Sequence, residues 1–330
     1  LIPRLGFAQG FLKYDWELLQ TIKLGALSKY LKSFRDEFSV GWINRHFLDW
    51  LGDKQDGPFF SYLHHIDVHW PYKAPAPYSG MFSDVESRLD FNRLGFLPGV
   101  VERVENGEEA GVDDDTLRAM LNAYDEGTRF VDDGIGEVFE ELRRRGLYDN
   151  TLIIVTSDHG EEFLEHDLLG HGESLYDEVI RVPLIIKFPC PGRYCEPRRI
   201  DKQVELVDIL PTVLSVAGVE RPDNLVGRSL VDGEIPDGSS AFSELRQSVA
   251  LRTSGLKFIF DSESDEGELY NLRDDPGEDN NIADSDEQVS ELFTSRILDF
   301  IVNLSETSVA DDTQLVEADD KMIENLRSLG

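Results

Sequence analysis

Apolar residues recur at helical spacing in four stretches of the chain, and elsewhere they run together in short unbroken blocks. From Trp42 to Asp53, the residues Ile43, Phe47, Leu48 and Leu51 mark one face of a helix that Gly52 closes. Asp113, Asp114 and Asp115 offer an N-cap and favourable first-turn charge for a second helix. Its stripe runs through Leu117, Leu121, Tyr124, Val131, Ile135, Val138 and Leu142; Arg143, Arg144 and Arg145 suit its C-terminal dipole, and Gly146 ends it. Residues 203–218 give a third helix ending at Gly218, and 285–304 a fourth that reads as a cover.

The unbroken blocks read as strands. Thr151 to Thr156 and Arg181 to Pro189 are almost wholly apolar, the pattern of strands covered on both faces in a parallel sheet. GPFFSYL, at 57–63, reads as another apolar strand, entering a loop rich in His and Asp that prolines 71, 75 and 77 hold irregular. Alternation of helix and buried strand predicts an α/β fold with helices on both faces of a mostly parallel central sheet. After about Pro236 the rhythm shortens to AFSEL, SVALRT, LKFIF and ELYNL, which predicts a small antiparallel sheet. The expected organisation is a main domain over 1–236, a sheet-and-helix subdomain over 237–304 and an acidic tail over 305–330, with 80–112 as a surface excursion.

Composition narrows the partners. With 330 residues, 40% of them hydrophobic, the chain can bury a substantial core. Sixty-five acidic residues against 32 basic ones leave a net charge of −33, which argues against nucleic acid and anionic membrane as partners. Such self-repulsion suits concentrated salt, where the screening length falls to ~3 Å. Cys190 and Cys195 are too few for a disulfide framework, so compartment stays open, as does oligomeric state. No apolar run approaches the ~20 residues of a membrane span. The opening LIPRLGF starts as if inside a fold, and a front end is expected to precede it.

Candidate chemistry gathers where TLIIVTSDHGEE ends its strand in Asp158, His159, Gly160 and Glu161. Ligands of open α/β sheets collect at such strand ends. One carboxylate oxygen beside one imidazole nitrogen suits a divalent cation, with Gly160 letting the backbone turn tightly behind them. On the triplet alone, an N-cap beside a surface histidine explains the pattern equally well. Six of the seven histidines, however, crowd into LHHIDVHWPY and SDHGEEFLEHDLLGHG. Within them, His69 and His171 sit in loops after strands, where imidazolium could meet an oxyanion or a leaving-group oxygen.

These blocks carry a resemblance. SDHGEEFLEHDLLGHGESLYDEVIRVPLII, with YLHHIDVHWPY before it and LVDILPTVLSVAG and ALRTSGLKFIF…ELYNLRDDPGEDNNIAD after it, resembles the sulfatase family of the alkaline-phosphatase superfamily from about Gly6 to Ile301. The DHGE…LLG pattern is also similar to phosphonate monoester hydrolases and phosphodiesterases. The resemblance implies an alkaline-phosphatase-like α/β/α sandwich and metal-dependent hydrolysis of a small-molecule or glycan sulfate ester. Asp158 and His159 match the second half of the family's metal site, which implies a divalent cation, calcium ahead of manganese, magnesium or zinc. His69, in its HWP context, matches a histidine on the sulfate or bridging ester oxygen. His171 falls where the family usually has a lysine on the same group, so its charge depends on pH. Tyr176, Arg181 and Pro183 match framework positions.

The departures matter as much. In the family, the first metal ligands and the formylglycine nucleophile of Cys/Ser-x-Pro-x-Arg precede the blocks seen here, and GFAQGFLKYD resembles a stretch already downstream of them. The chain is therefore expected to carry the C-terminal part of an active site, to be inactive by itself, and to leave formylglycine to an absent N-terminal segment. Cys195-Glu196-Pro197-Arg198-Arg199 satisfies the nucleophile pattern letter for letter, yet lies in a variable loop after the second metal pair and lacks the Leu-Thr-Gly-Arg continuation. It is read as a decoy whose Cys195 is an ordinary cysteine. Two alternatives stand beside the sulfatase: a phosphodiesterase or phosphonate monoester hydrolase, and a non-catalytic truncated relic serving as a binding module.

Overall fold

The computed structural model describes residues 39–53, 57–70, 72–82, 111–192, 194–222 and 225–307. Most of the 80–112 excursion, the GFAQGFLKYD stretch and the tail beyond 307 lie outside them. The chain divides into two compact units, with the break after Tyr148.

The first unit is built on helices α1 (Val40–Asp53) and α2 (Asp114–Arg144). Asp113 caps α2 by accepting from the Thr116 backbone N–H at 2.8 Å, as the aspartate run predicts. Beyond the last turn, Gly146 takes a left-handed φ of 69°. Helix α1 runs through Gly52 to Asp53, so that glycine is helical and does not end it. The two helices approach closely where a side chain on Gly134 would lie 2.4 Å from Val40 Cγ2. There the Asn44 side-chain amide donates to the Gly134 carbonyl at 2.8 Å.

The segment predicted as a strand over 57–63 forms no strand among the described residues. It leads instead into a coil that fastens to the helices. Buried Asp67 accepts from the Val40 N–H at 2.8 Å and so caps α1, and a side chain on Gly127 of α2 would lie 2.8 Å from the Asp67 carbonyl. Tyr78 donates to Asp133 at 3.0 Å.

The second unit opens with β1 (Ile153–Thr156), the tight hairpin of β2 (Glu162–Phe163) and β3 (Leu169–Gly170), the one-turn helix α3 (Asp177–Ile180) and β4 (Leu184–Lys187). Strands β1 and β4 pair antiparallel, Ile153 opposite Lys187 and Thr156 opposite Leu184. This pairing corrects the parallel expectation for these two strands, because an unbroken apolar run carries no sign of direction. It corrects the expected cover on both faces as well, since no residue of β1 or β4 is fully buried and Ile185 is 62% exposed. A 3-10 turn at Leu206–Asp208 leads into α4 (Ile209–Ala217), which Gly218 ends in a left-handed conformation.

Next come β5 (Ser240–Leu245), β6 (Ser248–Thr253), β7 (Lys257–Asp261) and β8 (Glu266–Tyr270), paired in sequence order as an antiparallel meander. Helix α5 (Glu287–Thr307) covers it, and Phe293 and Ile297 pack into a core of Val249, Leu251, Phe258 and Leu269. No helix among the described residues is long and apolar enough to cross a membrane.

Candidate active site

The Asp-His-Gly turn leaves β1 and is fixed from several sides. Thr156 donates to the Pro183 carbonyl at 2.8 Å, Ser157 Oγ to the His159 carbonyl at 2.6 Å, and the Gly160 N–H to the Val179 carbonyl at 2.7 Å. Glycine at 160 is required by close approach: a Cβ there would lie 1.9 Å from the Glu178 carbonyl oxygen. The tight-turn reason expected from sequence is thereby replaced, since Gly160 is not among the residues of positive φ.

His159 Nδ1 lies 2.9 Å from the Gly160 carbonyl. A carbonyl only accepts, so this nitrogen carries the proton and Nε2 keeps the lone pair in the neutral ring. Nε2 stands 4.0 Å from Asp158 Oδ1, within the ~3–5 Å that separates two ligand atoms of one cation held at about 2.0–2.6 Å from each.

The β2–β3 hairpin returns the chain to this turn. Its register pairs Glu162 with Gly170, so the flanking residues Glu161 and His171 face one another although ten residues apart. Left-handed residues Leu164 and Asp167 allow so short a reversal. His171 Nδ1 is 3.1 Å from Glu161 Oε1, and the His171 ring stacks on His159 with centroids 3.8 Å apart. The structure thus gathers Asp158, His159 and His171 in the second unit.

His69 belongs to the first unit, half-buried, its Nδ1 2.7 Å from the Trp70 carbonyl. Its neighbours in sequence serve the scaffold. His65 meets Asn44 at 3.2 Å, and burial, aided by the nearby His64, lowers its pKa to about 4. His166 stacks flat on Tyr176 at 3.6 Å.

Cys195 is not an ordinary thiol: it is disulfide-bonded to Cys190. No free cysteine exists among the described residues, which removes the decoy's sulfur from nucleophilic chemistry as it stands.

Sequence reasoning missed the buried polar layer beneath the turn. Glu162 is fully buried, and Ser174 donates to it at 2.8 Å. Burial, with the charges of Glu178 and Glu165, outweighs Ser174 and His166 and pushes the Glu162 carboxyl up to about 7. Asp177, at the start of α3, receives two hydrogen-bonding nitrogens of Arg252 and the ammonium of buried Lys257. Burial pushes Asp177 up, but these cations prevail and hold its carboxyl below the ordinary value.

The pattern of the family described as Sulfatase matches residues 43–219, more than half of the chain. The chain belongs to the sulfatase family. A second pattern, described as N-sulphoglucosamine sulphohydrolase, C-terminal, matches 165–301 of this sulfatase chain and takes in the β5–β8 sheet and most of α5. The chain is 30% identical over 245 residues to the uncharacterized sulfatase YidJ of Escherichia coli, covering 70% of this chain and 48% of that protein. It is 32% identical over 227 residues to the multifunctional alkaline phosphatase superfamily protein PehA of Trinickia caryophylli, 62% of this chain and 42% of that one. The chain thus spans about half the length of the curated relatives it matches.

Among solved structures, the phosphonate monoester hydrolase of Agrobacterium radiobacter superposes with a TM-score of 0.64 at 23% identity, over 80% of this chain and 60% of that one. That likeness shows the fold, the alkaline-phosphatase-like α/β architecture. The family implies a divalent metal. Asp158 and His159 offer a carboxylate oxygen and an imidazole nitrogen of the kind such a cation takes, and the Gly160 carbonyl, accepting from His159 Nδ1, leaves the lone pair on Nε2.

Proposed function

We propose that the chain supplies the C-terminal part of the active site of a metal-dependent sulfate-ester hydrolase, acting on a sulfated sugar or another small sulfate ester. The observation that carries this reading is the Asp158–His159 pair, 4.0 Å apart at the end of β1 beside His171. Membership of the sulfatase family supports the sulfate ester, and the second family's name supports a sulfated amino sugar as the substrate class.

Asp158 and His159 would hold the cation, calcium in the first instance, which when bound supplies Lewis acidity and activates the nucleophile. His171 would meet a sulfate or leaving-group oxygen, as a hydrogen-bond donor to the developing negative charge or as a proton source for the departing alkoxide, and the family resemblance alone supports the same role for His69. A sulfate monoester carries one negative charge, and an imidazole is a modest cation, so such a group suits a monoanion better than a dianion.

A second reading within the superfamily is phosphonate monoester or phosphodiester hydrolysis, favoured by the likeness to PehA and to the Agrobacterium enzyme. The two separate in one assay of the full-length protein with aryl sulfate, phosphodiester and phosphonate substrates sharing a leaving group. Sulfate is expected to give the highest kcat/KM; a higher value for either phosphorus substrate transfers the assignment to it. No turnover of any of the three, with calcium, manganese, magnesium or zinc present, favours a non-catalytic binding module.

A further inference from the structure

An imidazole on a loop rotates about two side-chain bonds and exchanges its proton between two nitrogens. A histidine that serves a substrate needs both freedoms removed. We infer that Glu161 is the positioning residue of His171, setting the plane of its ring and the nitrogen that bears its proton. The inference rests on His171 as the substrate-facing group of the proposed function.

Three observations converge on this pairing. Glu161 Oε1 lies 3.1 Å from His171 Nδ1, and both side chains are withdrawn from water, at 4% and 15% exposure. A carboxylate oxygen at this distance can accept from Nδ1, so the contact favours the tautomer that carries its proton there. The His159 ring, stacked at 3.8 Å with the planes 24° apart, fixes the tilt that a single hydrogen bond leaves open. The backbone favours the arrangement: the β2–β3 pairing of Glu162 with Gly170 brings the flanking residues 161 and 171 near one another across the hairpin.

The geometry has the logic of a carboxylate that holds a histidine in one tautomer without touching the substrate. It also gives a reason for a histidine at 171 to work where the family usually carries lysine. Lysine presents its charge from any rotamer, whereas histidine must be aimed, and the aiming group here is part of the same hairpin.

The test uses the full chain with 15N-labelled histidine. The ring-nitrogen signals of His171 should show a proton resident on Nδ1 in the wild type and in Glu161→Gln, whose amide oxygen still accepts. In Glu161→Met that signature should be lost or averaged between the two nitrogens. In full-length protein, Glu161→Met should lower kcat by about 10- to 100-fold with little change in KM, Glu161→Gln should recover most of it, and in a His171→Ala background Glu161→Met should cost nothing further. A His171 Nδ1 signal untouched by Glu161→Met, or losses that multiply in the double variant, would overturn the inference. If the wild type turns over no sulfate ester, the proposed function fails, and the nitrogen signals still decide the Glu161–His171 pairing on their own.

Discussion

Lys257 has no exposed surface, and its ammonium lies 2.7 Å from Oε1 of Glu278, itself fully buried. The pair holds the C-terminal sheet to the segment that follows the His171 loop, because Glu278 also accepts from the Asp177 N–H at 2.6 Å and Lys257 reaches Asp177 at 3.3 Å. Two cations, Lys257 and Arg252, thereby face two carboxylates, Asp177 and Glu278, in one buried layer.

Removing one member of a buried pair strands the other. Lys257→Ala should cost about 3–5 kcal/mol in denaturant unfolding. Combining Lys257→Met with Glu278→Gln should cost clearly less than the two single changes added together, since no uncompensated charge then remains. A Lys257→Ala variant as stable as the wild type would show that the ammonium escapes to water.

Glu162 should oppose stability as pH rises. Its folded pKa of about 7 lies above the ordinary 4.5, so between those values the folded state keeps a proton that the unfolded chain has released. Stability from this group is therefore fully present below about 4.5 and lost through about 7. Glu162→Gln keeps an acceptor for Ser174 and should gain on the wild type from pH 5 to pH 8, by at most ~3 kcal/mol. Parallel stability profiles for the two proteins would place the charge of Glu162 in solvent.

Gly160→Ala should disable the Asp-His turn. The added Cβ would meet the Glu178 backbone carbonyl at 1.9 Å, and no side-chain rotation can relieve a clash with backbone. The variant should melt several degrees lower and, in the full-length protein, retain less metal. Unchanged melting and metal content would mean that the loop moves freely away from α3.

Metal affinity should depend on Asp158 and His159. In full-length protein, Asp158→Ala should abolish turnover and lower bound metal measured by elemental analysis. With Asp158 and His159 as its ligands, against the six to eight that calcium takes, this chain should bind calcium more weakly than ~0.1 mM by calorimetry. Micromolar binding by this chain would point to ligands other than these two.

Salt should stabilise the protein. With a net charge of −33, the melting temperature is expected to rise from dilute toward molar potassium chloride as repulsion between carboxylates is screened. A flat or falling curve would remove the link between composition and a saline environment.

The sequence by itself determined what local physics writes into a chain. Asp113 could be read as the cap of α2, Gly146 and Gly218 as helix ends, and the four runs after Pro236 as a small antiparallel sheet, because capping geometry, left-handed glycine and two-residue alternation act over a few neighbours. Asp158 and His159 stood out as polar side chains at the end of an apolar strand, and His171 through the crowding of histidines and the family resemblance. Tertiary structure alone decided relations between distant positions. The antiparallel direction of β1 and β4 was not legible, since an apolar run carries no sign of strand orientation, nor was their partial exposure. Nor was the meeting of Glu161 with His171, which depends on a hairpin of two-residue strands too short to leave a period. The burial of Lys257 among Asp177, Arg252 and Glu278 is furthest from the sequence, because a lysine in a strand reads as solvent-facing until partners up to 80 residues away close over it.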